Sequence, residues 1–270
     1  MLKSYFVMTV DVDPPTPTNP DPNIIEDGVD VLLELFDNYA IKSTFFVPAV
    51  VAEKFPAVMK KIIKQRHEIA CHGLRHDKNE AISDLSKQFK IIRAATNIIQ
   101  SVVGTRPVGY RAPLFRINEN CWIALQKNGY VYDSSLLCSI LSRVHRTLLP
   151  SKPFFLSVHK TKENGTLLEI PISTNLFLPL PLGGAYLRVL GSKWSNIGVK
   201  ANFLLQNPVV FHIHPKDIDS RTRGRQWWAY RNTSKCIIEL EEIIKYAKQN
   251  GAKFLKAVEL ANLEIRKKHS

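Results

Sequence analysis

The feature that most constrains this chain is an alternation between short apolar runs of β character and amphipathic helical stretches, with a polar residue just after most runs. Tyr5 to Val10 reads as a buried strand. The proline-dense segment from Pro14 to Pro22 then has to be a loop, because proline fixes φ and lacks the amide proton of regular structure. Gly28 to Tyr39, with Val29, Leu32, Leu33 and Phe36 at helical spacing, predicts an amphipathic helix. A strand is expected over Ser43 to Val47, a helix over Pro56 to Arg66 and a third strand over His67 to Cys71. Ile82 to Gln100 predicts a long helix with Leu85, Phe89, Ile92 and Ile99 on its apolar face, and Val108 to Tyr110, Tyr130 to Tyr132 and Pro208 to Phe211 complete the strands. Strand followed by helix, repeated this often, predicts a parallel sheet closed into a barrel.

The chain has 270 residues, 45% hydrophobic and 23% charged, with no Gly/Ser linker and no internal repeat, so one domain over residues 1–270 is expected. The region from about Ser151 to Asn207 breaks the rhythm around Leu176-Phe177-Leu178-Pro179-Leu180-Pro181-Leu182-Gly183-Gly184. Its prolines argue against a helix or a membrane span. It reads as a variable hydrophobic loop, either covering the barrel mouth or touching lipid or a long apolar substrate tail.

In a parallel barrel the carboxyl ends of all strands share one face, so polar residues far apart in sequence converge there. Asp11 and Asp13 follow the first strand, His72 the third, Arg111 the fourth, Asp133 the fifth and His214 a late one. Alternate side chains of an extended chain share a face, which lets Asp11 and Asp13 point into one site while Val12 faces away. His72 and His76, four apart, would lie on one side of a helical turn and near enough to hold one ion. Two imidazoles and one carboxylate leave coordination positions open for water and substrate, as hydrolytic metal sites require.

Five segments, Thr9-Val10-Asp11-Val12-Asp13, His72 to His76, Arg111-Ala112-Pro113, Asp133-Ser134-Ser135 and His214-Pro215, resemble in content and order the motifs of the polysaccharide deacetylase family, also called the NodB homology domain or carbohydrate esterase family 4. The resemblance implies a distorted (β/α)7 barrel that removes N-acetyl groups from amino sugars with one divalent metal ion, zinc first, with cobalt, manganese, nickel or iron as alternatives. It also implies roles: Asp11 the base, Asp13, His72 and His76 the metal ligands, Arg111 the group orienting the base, Asp133 a support near the acid, and His214 the acid. Two departures stand out. Val12 separates aspartates that many members have adjacent, and His212 competes with His214 because both share one face of a strand.

Net charge is +13, with basic clusters at Lys60-Lys61, at Arg221, Arg223, Arg225 and Arg231, and at Arg266 to Lys268, the last expected to be a frayed, solvated tail. Such a field suits polyanions, but no nucleic-acid motif accompanies it, so a nucleotide-linked or lipid-linked sugar and peripheral contact with an anionic membrane fit better than nucleic acid. Trp227, Trp228 and Tyr230 beside the arginines suit either a sugar-stacking surface or packing on the rim. Four scattered cysteines form no C-x-x-C pair, and Met1 to Val10 leaves no room for a separate signal peptide, so a cytoplasmic place, or the inner face of the membrane, is expected. The alternatives are an allantoinase-like amidohydrolase of a small non-sugar amide and a catalytically silent carbohydrate- or membrane-binding barrel.

Overall fold

The computed structural model describes residues 4–137, 151–156, 167–223 and 231–269. Cys138, Arg225, Trp227, Trp228 and Tyr230 lie outside the described residues.

The strands are β1 (Tyr5–Asp11), β2 (Thr44–Val47), β3 (Glu68–Cys71), β4 (Gly109–Tyr110), β5 (Tyr132–Asp133), β6 (Phe154–Phe155), β7 (Leu168–Glu169), β8 (Val209–Ile213) and β9 (Lys253–Leu255). Their order is β6-β7-β5-β4-β3-β2-β1-β8, with β9 beside the first residues of β1. Among the described residues, every pairing between these strands is parallel except β6 with β7. Beyond β7 the chain leaves β5 and reaches β8. Ile170 N–H donates to Asp133 C=O at 2.8 Å, and Ser173 N–H donates to Val210 C=O at 3.1 Å. That crossing brings the two ends of the sheet together and curls it into the expected barrel, with β1, β2, β3, β4, β5, β7 and β8 around the ring.

The helices are α1 (Asn23–Asn38), α2 (Ala49–Lys54), α3 (Pro56–Lys64), α4 (Leu85–Val103), α5 (Glu119–Lys127), α6 (Gly184–Leu204), α7 (Pro215–Ile218), α8 (Thr233–Gln249) and α9 (Ala257–His269). Strand alternation sorts the apolar residues into two layers. Phe6, Met8 and Val10 of β1 face the surrounding helices, in a core shared with Leu32, Phe36, Ile92 and Ile99. Val7, Phe46, Ala70, Tyr132 and Val210 fill the interior, where Leu260 and Ala261 of α9 pack against them.

Two expectations give way here. The proline-rich stretch is not helical, but the 21 residues of α6 follow it directly. Gly184, Gly191 and Gly198 interrupt its sequence pattern, and Gly191 at φ 78° kinks the helix, so its periodicity is blurred. The carboxyl-terminal tail is likewise not frayed: α9 runs through Arg266 to Lys268, and Lys268 Nζ lies 4.0 Å from the centre of the Phe155 ring.

Candidate active site

Continuing the parity of β1 past Val7 and Thr9 turns Asp11, and then Asp13, into the upper end of the barrel, while Val12 is buried on the other side. The same rule turns Arg111, one residue beyond outward-facing Tyr110 of β4, into the interior. Its guanidinium is fully buried and spends its donors on fixed acceptors. It reaches Asp11 Oδ1 at 2.5 Å, Thr9 Oγ1 at 3.0 Å, the Ser134 carbonyl at 3.0 Å and Ser134 Oγ at 2.9 Å. The Phe46 ring backs it at 3.9 Å. Burial alone would raise the pKa of Asp11, but Arg111, His72 and His214 outweigh it and hold the carboxyl below the usual carboxylate range.

His72 follows β3 and His76 lies on a loop, not on the helical turn expected from their spacing. Gly73 at φ 83° and His76 at φ 63°, both left-handed, fold that loop back on itself. A Cβ at Gly73 would come 2.6 Å from Glu80 Oε1 and 2.9 Å from Pro113. Glu80 shapes the loop by accepting from three backbone N–H groups, those of Leu74, Arg75 (2.9 Å) and Asp77 (3.2 Å). Nothing in the sequence pattern pointed to Glu80, whose role depends on backbone amides rather than on a motif.

The result is a compact donor set. One ligand atom from each of Asp13, His72 and His76 lies within 4.8 Å of the others. Asp13 Oδ1 is 3.6 Å from His72 Nε2 and 3.1 Å from His76 Nε2, yet it is buried without a hydrogen-bond partner. His72 Nδ1 is 2.8 Å from the Arg111 carbonyl, an oxygen that can only accept. Nδ1 therefore carries a proton, and in the neutral ring Nε2 presents a lone pair to Asp13. Two acceptors facing each other across a buried gap are satisfied by a cation, and this donor set fits a divalent metal ion.

The outer oxygen of Asp13, Oδ2, contacts the ammonium of Lys216. Burial disfavours ionised Asp13, but Lys216 and His214 overcome it and hold its pKa well below the usual range. His214 stands opposite the histidine pair, with Nε2 at 3.7 Å from Asp13 Oδ2 and 4.0 Å from Asp11 Oδ2. His214 also caps α7: its backbone N–H donates to Asp217 Oδ2 at 2.9 Å, and its Nδ1 lies 2.9 Å from the same oxygen. Arg188 of α6 braces the other oxygen of Asp217, through Nε at 3.1 Å and Nη2 at 3.0 Å. Burial and Lys216 work against protonation of His214, but Asp13 and Asp217 prevail and raise its pKa. His212 lies deeper, against Phe115 and Gly183, and burial lowers its pKa to about 4. Of the two histidines, His214 presents a nitrogen to the carboxylates.

Asp133 does not sit beside His214. Strand alternation puts Tyr132 and Ser134 inside the barrel and turns Asp133 outward, where it accepts from Trp122 Nε1 at 2.9 Å and Ser135 Oγ at 2.5 Å, opposite Glu169 in register. Its motif reaches the site through its neighbours instead: Ser134 holds Arg111, and Ser135 Oγ accepts from Ala112 N–H at 2.8 Å. The aspartate touching the histidine is Asp217, in the segment Pro215 to Asp219 that continues the His214-Pro215 motif. A cavity of about 270 Å³ opens beside Asp13, His214 and Lys216, with the loop from Pro14 to Asn19 and Arg223 along its wall.

Residues 3–132 match the polysaccharide deacetylase family, and residues 138–253 match a domain of unknown function, DUF3473. Among curated proteins the chain is similar to a peptidoglycan deacetylase-like protein of Gibberella zeae, 38% identical over 111 residues that make up 40% of this chain and 32% of that protein. It is also similar to a peptidoglycan deacetylase of Helicobacter pylori, 31% identical over 112 residues, or 42% and 38% of the two chains. The match thus spans about a third of each curated relative. A crystal structure of a candidate polysaccharide deacetylase from Mycobacterium smegmatis shares the fold, with a TM-score of 0.70 at 24% identity over 98% of this chain and 91% of that one. The segment that matches the polysaccharide deacetylase family, residues 3–132, is the one that supplies Asp11, Asp13, His72, His76 and Arg111.

Proposed function

We propose that this chain is a metal-dependent N-deacylase that removes an acetyl or formyl group from an amino sugar, carried in a polysaccharide or in a lipid-linked or nucleotide-linked precursor. The observation that carries the reading is the buried, unpartnered Asp13 Oδ1 between His72 and His76, with Asp11 and His214 facing the same space. A divalent ion held by Asp13, His72 and His76 would polarise the amide carbonyl and acidify a water molecule.

The chain's own groups divide the proton work. Arg111 fixes Asp11 through Oδ1 and keeps it ionised, leaving Oδ2 on the His214 side to take a proton from the attacking water. His214, oriented through Nδ1 by Asp217, carries a proton on Nε2 for the departing amine, which would otherwise leave as a strongly basic amide anion. Lys216 occupies the outer oxygen of Asp13, leaving Oδ1 turned toward the histidines. Two carboxylates with different partners thus take different tasks.

Release of acetate from N-acetylated chito-oligosaccharides by the metal-loaded protein, with sugar nucleotides and ureides as parallel substrates, tests the proposal. The reading expects acetate from the sugar and a loss of about 10²–10⁴-fold in Asp11→Asn. Hydrolysis of ureides alone would transfer the site to small-amide chemistry, and no hydrolysis of any of them would leave only a binding barrel. We extend the proposal to a cytoplasmic place of action, supported by the free buried thiols of Cys71, Cys121 and Cys236, which cell fractionation tests.

A further inference from the structure

The outer face of α6 and the loop before it expose apolar side chains that the barrel does not use. Phe177 is 80% exposed and Leu204 73%, and Leu178, Ile197 and Leu205 are exposed beside them. Beyond the kink at Gly191, the exposed positions Lys193, Ile197, Lys200 and Leu204 recur at intervals of three and four, which places them on one face of the helix. The loop is fastened to the same helix. Asn175 Nδ2 donates to the Trp194 carbonyl at 3.0 Å, and Asn202 Nδ2 donates to the Thr174 carbonyl at 2.9 Å, so Phe177 and Leu178 are held alongside it.

The charge of this region is one-sided. From Ile170 to Lys216 the sequence has no aspartate or glutamate, and it carries Arg188, Lys193, Lys200 and Lys216. Glu239 and Glu242 of α8 approach this helix at Ser192, where both accept hydrogen bonds, and no carboxylate comes from the stretch itself. In a chain of net charge +13, a face that mixes exposed leucine, isoleucine and phenylalanine with Lys193 and Lys200 is complementary to something apolar beneath and anionic at its surface. A second copy of the chain fits less well, because a two-fold contact through this face would bury the Lys193 and Lys200 ammoniums of both copies with no carboxylate from the same stretch to pair them.

We propose that this face docks on an anionic lipid bilayer, with Phe177, Leu178, Ile197 and Leu204 entering the headgroup and acyl boundary and Lys193 and Lys200 reaching phosphates. Among the described residues no helix is long and apolar enough to cross a membrane, so the contact is peripheral. The docked helix is also the one whose Arg188 braces Asp217, which sets the bilayer next to the element that positions the candidate acid. The inference does not require the deacylase chemistry and is tested apart from it.

The test is flotation of the whole chain with vesicles of phosphatidylcholine alone or with about a third phosphatidylglycerol, at low and high salt. Two variants accompany it, Phe177→Ser with Leu204→Ser, and Lys193→Gln with Lys200→Gln, each checked for unchanged circular dichroism and an unchanged thermal melt. The proposal expects binding to the anionic vesicles only, weakened at least tenfold by either pair. It is overturned if the anionic vesicles bind no protein, or if the serine pair binds as well as the parent, which would leave only diffuse charge attraction. It is equally overturned if the parent dimerises in sedimentation and the serine pair does not, since a second copy would then cover the face.

Discussion

Asp217 holds both the backbone N–H and the Nδ1 of His214 with a single carboxylate oxygen, each at 2.9 Å, while Arg188 grips the other. A carboxylate three residues after the histidine, in the first turn of a short helix, thereby fixes which imidazole nitrogen faces the site. Asp217→Asn keeps the shape and removes the charge. We expect kcat to fall by about 10–100-fold with KM little changed, and Asp217→Glu to recover part of it. A loss confined to KM would place Asp217 in substrate binding instead.

Arg111 is a buried cation that neutralises a buried anion, so removing it leaves Asp11 uncompensated. Arg111→Met is expected to lower stability by about 3–5 kcal/mol in urea denaturation. Activity should fall further than the unfolded fraction explains. Stability within about 1 kcal/mol of the parent would mean that Asp11 is not ionised in the folded protein.

Glu80 holds the loop between the two histidines and touches neither of them in the hydrogen bonds it makes. Glu80→Ala should release three amides and loosen the spacing of His72 and His76. Metal affinity measured by competition with a chelator is expected to drop by about 10–100-fold while the fold persists. Unchanged affinity would show that the histidines are positioned without it.

His67 is a buried histidine far from this chemistry, and its burial beside two lysines explains its pH behaviour. Its Nδ1 accepts from the Ser43 N–H at 3.0 Å, and burial, with Lys42 and Lys256, lowers its pKa to about 4 from 6.5. The folded state therefore binds its proton later than the unfolded state. The stability it contributes is fully present above about pH 6.5 and is lost as the pH falls toward about 4. Thermal melts of His67→Gln should show a shallower decline across that window, by on the order of 2 kcal/mol. Parallel curves for variant and parent would contradict this.

Much of the barrel was legible because each early strand is short, apolar and followed by a polar residue, so Asp11, Asp13, His72 and Arg111 could be placed at one end before any coordinates. Asp13, His72 and His76 converge as the sequence implied, but through a left-handed loop and not a helical turn, since Gly73 and His76 adopt positive φ. Asp133 departs from the place expected beside the acid because strand alternation sends it outward to Trp122, while its neighbour Ser134 turns inward to Arg111. Asp217 lies in the continuation of the fifth motif, Pro215 to Asp219, but its grip on His214 is a helix cap and Glu80 acts on backbone amides, and neither contact leaves a periodic trace in the sequence. α6 was hidden by glycines within its own pattern.

The most direct measurement of the central claim is the metal content and affinity of the purified chain beside Asp13→Ala and His76→Ala, with folding confirmed by circular dichroism. The account predicts one divalent ion per parent chain and a loss of at least about 100-fold in affinity in each variant, as expected when a ligand is removed and not merely a supporting residue. A parent that binds no ion, or an Asp13→Ala variant that holds it as tightly as the parent, would contradict the account.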